Sequence, residues 1–437
     1  MASRRLVSRR DFLHGATRAG AAGIALHYVV PSGVLGAPGQ PAPSDRVGVG
    51  VIGPGRQGSG LTRQAARKAR IVATADVNLP RAEKVAQATS AKAFQDYRRL
   101  LDLEEVDAVI VATPDHWHAI CSIHACQAGK DVYVEKPMTL TVREGRRMVE
   151  AARKHDRVVQ CGSHQRSMAR CRKGCLLVRN GRIGAISKVI THNYASPWNC
   201  ALPAQPVPKG LDWDMWCGPT PLRPYHADIY KPRARPGWIS FRPWSGGEMT
   251  GWGSHGLDQI QWALGMDTNG PVEIWTEGDR LVPPTYTKPE SRSRGEKACN
   301  KPKVLMKYPG NILVEFADGP PGGGTFVGEK GTITIDRGRT LSDPPELATE
   351  PLRDPKVSLY VSKNHMANWL QCVKSRKRPV ADVEIGHRSA TVCHLANIAR
   401  CLGRKLRWDS AKEQFIGDDE ANTHLDRPRR EPYSLPK

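Results

Sequence analysis

Gly53-Pro54-Gly55-Arg56-Gln57-Gly58 sets three glycines at the spacing G-x-G-x-x-G, and Asp76 follows 23 residues after the first of them. Glycines so spaced let a backbone close on a pyrophosphate at a helix N-terminus, and a carboxylate at that distance accepts hydrogen bonds from an adenosine ribose. The spacing alone is a weak signal, but its context strengthens it. Residues 46–52 read as a short strand rich in β-branched side chains, residues 59–70 as a helix, and residues 70–75 as a second strand ending on Asp76. A carboxylate there repels a 2′-phosphate, so the pattern predicts NAD rather than NADP. Gly53, Gly55, Arg56, Gln57, Gly58 and Asp76 are its expected contacts.

Two more clusters stand at the ends of apolar runs. Thr113-Pro114-Asp115-His116 follows a strand at 107–112, and Glu135-Lys136-Pro137 follows one at 131–134. Helical patterns at 81–88, 117–128 and 142–155 alternate with these strands, which implies a doubly wound parallel sheet. Ligands bind at the carboxyl ends of such strands, so Thr113, Pro114, His116, His118, Glu135 and Lys136 are expected beside the cofactor. A strand at 158–162 leads into His164-Gln165-Arg166, which puts Gln165 near the cofactor and Arg166 near the substrate. His116, His118, Cys121, His124 and Cys126 have the chemistry of zinc ligands, but a helix starting near Trp117 spreads them over more than one face. No metal is expected.

The chain that must position these groups has 437 residues, enough for two or three domains. Hydrophobic residues make up 39% of it, enough for substantial cores, and no run of about 18 apolar residues suggests a membrane span. The net charge of +22 is dispersed and interleaved with acids, which argues against nucleic acid. The 11 cysteines form no paired framework and are expected as buried thiols, with Cys171 and Cys175 close enough for a local pair. Ser8-Arg9-Arg10-Asp11-Phe12-Leu13, followed by a weakly apolar stretch at 15–30, predicts a twin-arginine export signal and a periplasmic location. Cleavage is expected between Ala37 and Ser44, and without residues 1–44 (five Arg, one Asp) the net charge is about +18. That route carries folded proteins, which suits a cofactor captured before export and held tightly.

Taken together, Gly53–Gly58, Thr113-Pro114-Asp115-His116-Trp117-His118, Glu135-Lys136-Pro137 and the segment from Gly246-Gly247 to Trp262 resemble the family of glucose–fructose oxidoreductase, inositol dehydrogenase and MocA. Gly210-Leu211-Asp212-Trp213-Asp214, Arg378-Pro379-Val380-Ala381-Asp382 and the leader resemble its exported branch. The resemblance implies an N-terminal Rossmann domain and a C-terminal α+β domain with a large, mostly antiparallel sheet that often mediates oligomerisation. The expected layout is a leader and linker at 1–44, the Rossmann domain at 45–160, the substrate domain at 161–410 and a surface tail at 411–437.

The resemblance also implies that Lys136 and His255 assist proton removal from a sugar hydroxyl while hydride moves to the cofactor. Burial beside a cationic nicotinamide would lower the pKa of such a lysine toward neutrality. One position departs from the family pattern. An Asp commonly stands four residues before the histidine, where this chain has Gly251 in Gly251-Trp252-Gly253-Ser254-His255. Glu248 and Asp258 are the acids near enough to compensate, Asp258 one turn from His255 if 254–264 is helical.

Eight of the 11 tryptophans fall between residues 198 and 275, a density that suits stacking on the apolar faces of sugars. Trp252 is the foremost candidate, with Arg166 and Asp258 as further substrate residues, and two or three of the eight are expected to meet ligand. The segments 195–208 and 282–303 are expected as long loops, and 364–375 and 386–402 as helices. Three functions remain open: an NAD-dependent oxidoreductase on a CH–OH group, with dissociable or retained cofactor; a redox-neutral glycosidase or lyase working through a transient keto-sugar; and a non-catalytic sugar-binding relative.

Overall fold

The computed structural model describes residues 46–230, 237–288 and 301–436. The leader and residues 289–300 of the predicted loop, Cys299 among them, lie outside the described residues. The first layer is a six-stranded sheet of β1 (Gly48–Ile52), β2 (Arg70–Ala75), β3 (Lys92–Phe94), β4 (Ala108–Val111), β5 (Asp131–Val134) and β6 (Val159–Cys161). All neighbours pair in parallel, in the order β3-β2-β1-β4-β5-β6. The central strands β1, β4 and β5 are buried at every position, as expected when helices cover both faces. Besides a single turn at Tyr97–Leu101, the helices are α1 (Arg56–Ala66), α2 (Leu79–Thr89), α3 (Asp115–Gln127) and α4 (Val142–Lys154). Helix α1 starts three residues earlier than predicted because Gly55 takes the N-cap position. Thr141 and Glu144 form a reciprocal capping box on α4.

The second layer is a nine-stranded sheet. Its strands include β7 (Ile186–His192), followed in the chain by the short β8 (Asn199–Cys200) outside it, β9 (Glu273–Glu277), the short β10 (Thr285–Tyr286) paired with β8, β11 (Lys303–Tyr308) and β12 (Ile312–Ala317). It continues with β13 (Gly324–Gly328), β14 (Gly331–Asp336), β15 (Arg339–Asp343), β16 (Leu406–Asp409) and β17 (Gln414–Phe415). Within the nine-stranded sheet only β7 and β12 pair in parallel, and its other neighbours are antiparallel. Helices α5 (Ala169–Arg179), α6 (Gly253–Leu264), α7 (His365–Ser375) and α8 (Val383–Leu402) complete the frame. Side chains from α5, α6 and α8 share a core with this sheet, including Cys175, Leu257, Ile260, Val314, Phe316 and Val392.

Chain order and packing do not coincide. Met366, Trp369 and Leu370 of α7 pack with Val49, Val51 and Leu61, so the C-terminal half returns to cover the first sheet. The amide of Cys161 donates to the oxygen of Ala381 at 2.9 Å, which satisfies the edge of β6. The stretch predicted as a surface tail is tied in as well: Phe415 and Leu425 belong to the core of the second layer, at 1% and 0% exposure. Tyr433 meets Trp117 edge to face at 5.3 Å. Cys171 and Cys175 do not pair; both are free, buried thiols on α5, directed at the oxygens of Asp336 and Gln259. Among the described residues no helix is long and apolar enough to cross a membrane.

Candidate functional site

The carboxyl ends of β1, β2, β4 and β5 open into a cleft of about 1130 Å³. Its first wall is the glycine loop. Gly53 has φ +79°, and a Cβ there would stand 2.9 Å from the amide nitrogen of Thr113. A Cβ on Gly58 would stand 2.2 Å from the oxygen of Gly53, so only glycine lets α1 pack this close to β1. Gly55 instead faces open space, with nothing but the far end of Arg81 within 4 Å of its notional Cβ. No side chain caps α1 and no acid occupies its first turn, so its positive end is left for an anion. These features fit the pyrophosphate of a dinucleotide.

Asp76 lines the cleft at the end of β2. Its carboxylate accepts from the Asn78 amide at 2.9 Å and from Arg81 at 3.3 Å. Burial raises its pKa, and Arg81 and Asn78 offset part of that rise. Arg81 also lies over the ring of Tyr230, 5.0 Å from its centroid. Sequence reasoning missed Arg81, although it follows Asp76 by five residues.

Thr113, Pro114 and His118 line the next wall. His118 is fixed by two main-chain oxygens, those of Pro137 (2.7 Å) and Thr113 (2.8 Å). His116 does not line the cleft; its ring turns away to the oxygen of Trp216 at 2.8 Å. His124 bonds the hydroxyl of Tyr97, and among the described residues no group of three or more His, Cys, Asp or Glu is arranged to hold a metal.

Glu135 and Lys136 lie at the end of β5 and also line the cleft. Glu135 accepts from Gln57 at 2.9 Å and stands 3.6 Å from His164. Burial alone would raise its pKa, but His164, Lys136 and Gln57 outweigh it and hold the carboxyl at about 2. Lys136 donates from Nζ to the oxygen of Gly251 at 3.2 Å. His255, in the first turn of α6, lines the same cleft at 6% exposure. Lys136 and His255 are separated by more than a hundred residues, and the fold brings them to one cavity with the glycine loop and Asp76.

Besides His116 and Gly58, the latter taken up by packing α1 on β1, four more predicted residues do not line the cleft. Arg166 and Asp258 are each 1% exposed and pair with one another at 2.9 Å, with Ser389 donating to Asp258 and Arg166 also reaching Asp267. Asp258 therefore serves the interior of the second layer and makes no hydrogen bond to His255. The amide nitrogen of Gln165 donates to the oxygen of Gly322 at 2.7 Å, which turns it from the cofactor; its neighbour His164 lines the cleft instead. Trp252 packs edge to face on His255, at 5.5 Å, and lies under Arg337 at 6.0 Å. The tryptophans that do line the cleft are Trp216 and Trp238, together with Trp117. Trp198, Trp213, Trp244 and Trp262 are core residues. Arg337, carried between β14 and β15, reaches the cleft with no signal in the sequence to mark it.

The missing acid has a local counterpart. A Cβ on Gly251 would stand 3.4 Å from Oε2 of Glu248, so the Glu248 carboxyl lies beside the space that a side chain at 251 would enter.

Known proteins resemble this chain over both layers. A profile of an oxidoreductase family with an NAD-binding Rossmann fold matches residues 47–163. The C-terminal alpha/beta domain of the same family matches residues 169–285 and 343–435. An inositol 2-dehydrogenase of Rubrobacter xylanophilus is 35% identical over 111 residues, covering 25% of this chain and 32% of that protein. A glycosyl hydrolase family 109 protein of Shewanella sp. (strain ANA-3) is 38% identical over 120 residues, 25% of this chain and 26% of that one. These matched segments span less than half of each relative. The WlbA dehydrogenase of Bordetella pertussis, solved with NADH and UDP-GlcNAcA, superposes with a TM-score of 0.57 at 20% identity, over 83% of this chain and 99% of that one. The aldose-aldose oxidoreductase of Caulobacter crescentus gives 0.56 at 18%, over 83% and 99%. At such identities the likeness is one of fold.

Proposed function

This chain belongs to the glucose–fructose oxidoreductase, inositol dehydrogenase and MocA family, and we propose that it transfers hydride between NAD and a hydroxyl or carbonyl carbon of a sugar, polyol or glycoside. The observation that carries this reading is the convergence of Lys136 and His255 on the cleft walled by the glycine loop and Asp76. When bound, the nicotinamide supplies the hydride acceptor or donor. Lys136 moves the hydroxyl proton. The oxygen of Gly251 holds its Nζ at 3.2 Å, a fixed position from which one N–H points to a main-chain acceptor and the nitrogen is aimed by the fold. His255 is the second proton-handling group, and Trp252 against its ring restricts its rotation. Glu248 acts as the positioning acid in place of a side chain at 251. Trp238 offers a face on which a sugar ring stacks, Trp216 backs that wall with its own ring stacked on Trp213, and Arg337 donates to the sugar's hydroxyl or acidic substituents.

Gly251 also favours a second reading. In it, hydride transfer from a hydroxyl carbon to NAD acidifies the neighbouring C–H, and a base takes that proton as the leaving group departs. Hydride then returns to the carbonyl, after water adds to the enone in a glycosidase or without that addition in a lyase; the Shewanella relative carries a hydrolase name. We place the protein outside the cytoplasm on the twin-arginine motif, with NAD retained through export, and expect a homo-oligomer formed through the half-exposed face of the nine-stranded sheet. Mass analysis of nucleotide released by denaturing the purified protein tests the cofactor assignment. Stoichiometric NAD(H), or saturable titration by added NAD if none is released, supports it; failure of both rejects it.

A further inference from the structure

A second cavity, of about 400 Å³, shares no lining residue with the nucleotide cleft. It lies between the C-terminal segment that carries His424, Arg427 and Arg429, the start of β8 at Asn199, and the loops that carry Thr220 and Arg242. Its charge is unbalanced in a specific way. The two carboxylates in its wall, Glu144 and Asp426, are already committed. Glu144 accepts from the amides of Leu140 and Thr141 and from Arg429, and Asp426 accepts from Thr141 and Arg429.

Arg427 makes one hydrogen bond among the described residues, from Nη1 to the main-chain oxygen of Arg242. Its Nε and Nη2 have no protein acceptor there, and neither does the guanidinium of Arg242 or the ring of His424. Three nitrogen-donor side chains thus line one cavity with no protein carboxylate hydrogen-bonded to them among the described residues; Glu144 and Asp115 act on Arg427, and Glu420 on His424, only through space. Holding the two arginine guanidiniums in a partly desolvated wall without a hydrogen-bonded anion is costly unless one joins them. Their mutual effect is visible: burial and the Arg242 guanidinium pull Arg427 down to about 10, and burial with Arg242 lowers His424.

We infer that this cavity binds a small molecule through an oxyanion, a phosphate or carboxylate group, held between Arg242, Arg427 and His424. Guanidinium groups present paired N–H donors that match the oxygens of such a group, and the volume exceeds that of the bare ion, which leaves room for an attached polar body. The site is separate from the proposed chemistry, so its fate does not depend on the substrate of the cleft.

The test is calorimetric titration of the NAD-saturated protein with inorganic phosphate and, separately, with acetate. Saturation with NAD keeps either probe from the pyrophosphate site. A single saturable site is expected for at least one probe, and Arg242→Gln should weaken it at least about tenfold, the loss of a charge-assisted contact. Arg427→Gln should do the same. Should that variant fail to fold, Arg242→Gln decides, because its side chain makes no hydrogen bond among the described residues. No saturable binding of either probe, or wild-type affinity in Arg242→Gln, overturns the inference.

Discussion

Lys136 donates from Nζ to the main-chain oxygen of Gly251 at 3.2 Å, and this contact joins the end of a strand in the first sheet to the turn that precedes His255. Neither residue is near the other in sequence. The contact fixes the nitrogen that the proposed reaction needs at the place where the second layer meets the cofactor-binding layer.

Lys136→Ala should abolish turnover while leaving NAD affinity within about threefold, since general acid–base groups typically contribute 10²–10⁴-fold in rate. Steady-state kinetics with parallel cofactor titration checks it. Retained turnover would remove Lys136 from the proton-transfer role.

Asp76→Ala should weaken NAD by about tenfold or more and relax discrimination against NADP, because the ribose loses its acceptor. Arg81 sharpens this expectation. Freed from its 3.3 Å contact with Asp76, its guanidinium can meet a 2′-phosphate. Unchanged preference for NAD over NADP in the variant would count against the ribose assignment.

Glu248→Gln should lower kcat at nearly constant KM, and adding Gly251→Asp should restore part of it. The Asp would enter the space beside the former carboxylate, displacing the tip of Ile239, which stands 2.9 Å from the notional Cβ. In the wild-type background Gly251→Asp should instead cost stability, because two carboxylates then crowd one another. Equal kcat in Glu248→Gln and wild type would show that the cleft needs no acid there.

Acid should destabilise the fold earlier than carboxylate titration alone explains. Burial pulls His116 to about 4; burial with repulsion from His164 pulls His365 to about 3, and burial with repulsion from Arg427 pulls His394 to about 3. Unfolded histidines take up protons below about 6.5, whereas these remain neutral in the native state. Between those values the unfolded chain binds more protons, so stability rises with pH and is lost as pH falls, by up to about 1.4 kcal/mol per pH unit for each histidine. Glu135, held near 2, adds to the loss below its unfolded value of 4.5. A thermal midpoint that falls steadily from about pH 7 to pH 5 is expected; a flat profile would refute the neutral assignments.

The parts of this site that were legible in the sequence are those set by local rules. The strands at 70–75 and 131–134 follow from apolar runs bounded by charged residues, and the glycine loop and Asp76 are a spacing with a mechanism. Assignments that depend on contacts between distant segments were not legible. Arg166 and Asp258 read as substrate groups because each sits near a catalytic segment, yet they spend their charge on each other across 92 residues. Trp252 was favoured by its neighbour His255, whereas Trp238 and Trp216 reach the cleft through a loop and a short helix whose course no periodicity reveals. Arg337 arrives on a hairpin turn of the far sheet, and its place follows only from the closure of that sheet on the first.

The central claim is hydride transfer in the cleft that Lys136 and His255 share. It is tested most directly by mixing the NAD-loaded protein with a panel of sugars, polyols and glycosides in a single turnover while following the near-ultraviolet absorbance of reduced nicotinamide. The account predicts that reduced cofactor appears with at least one compound, persistently for a net oxidation or transiently for a redox-neutral cleavage, and that the signal vanishes in Lys136→Ala. A compound that binds and is transformed with no reduced cofactor at any time would contradict it.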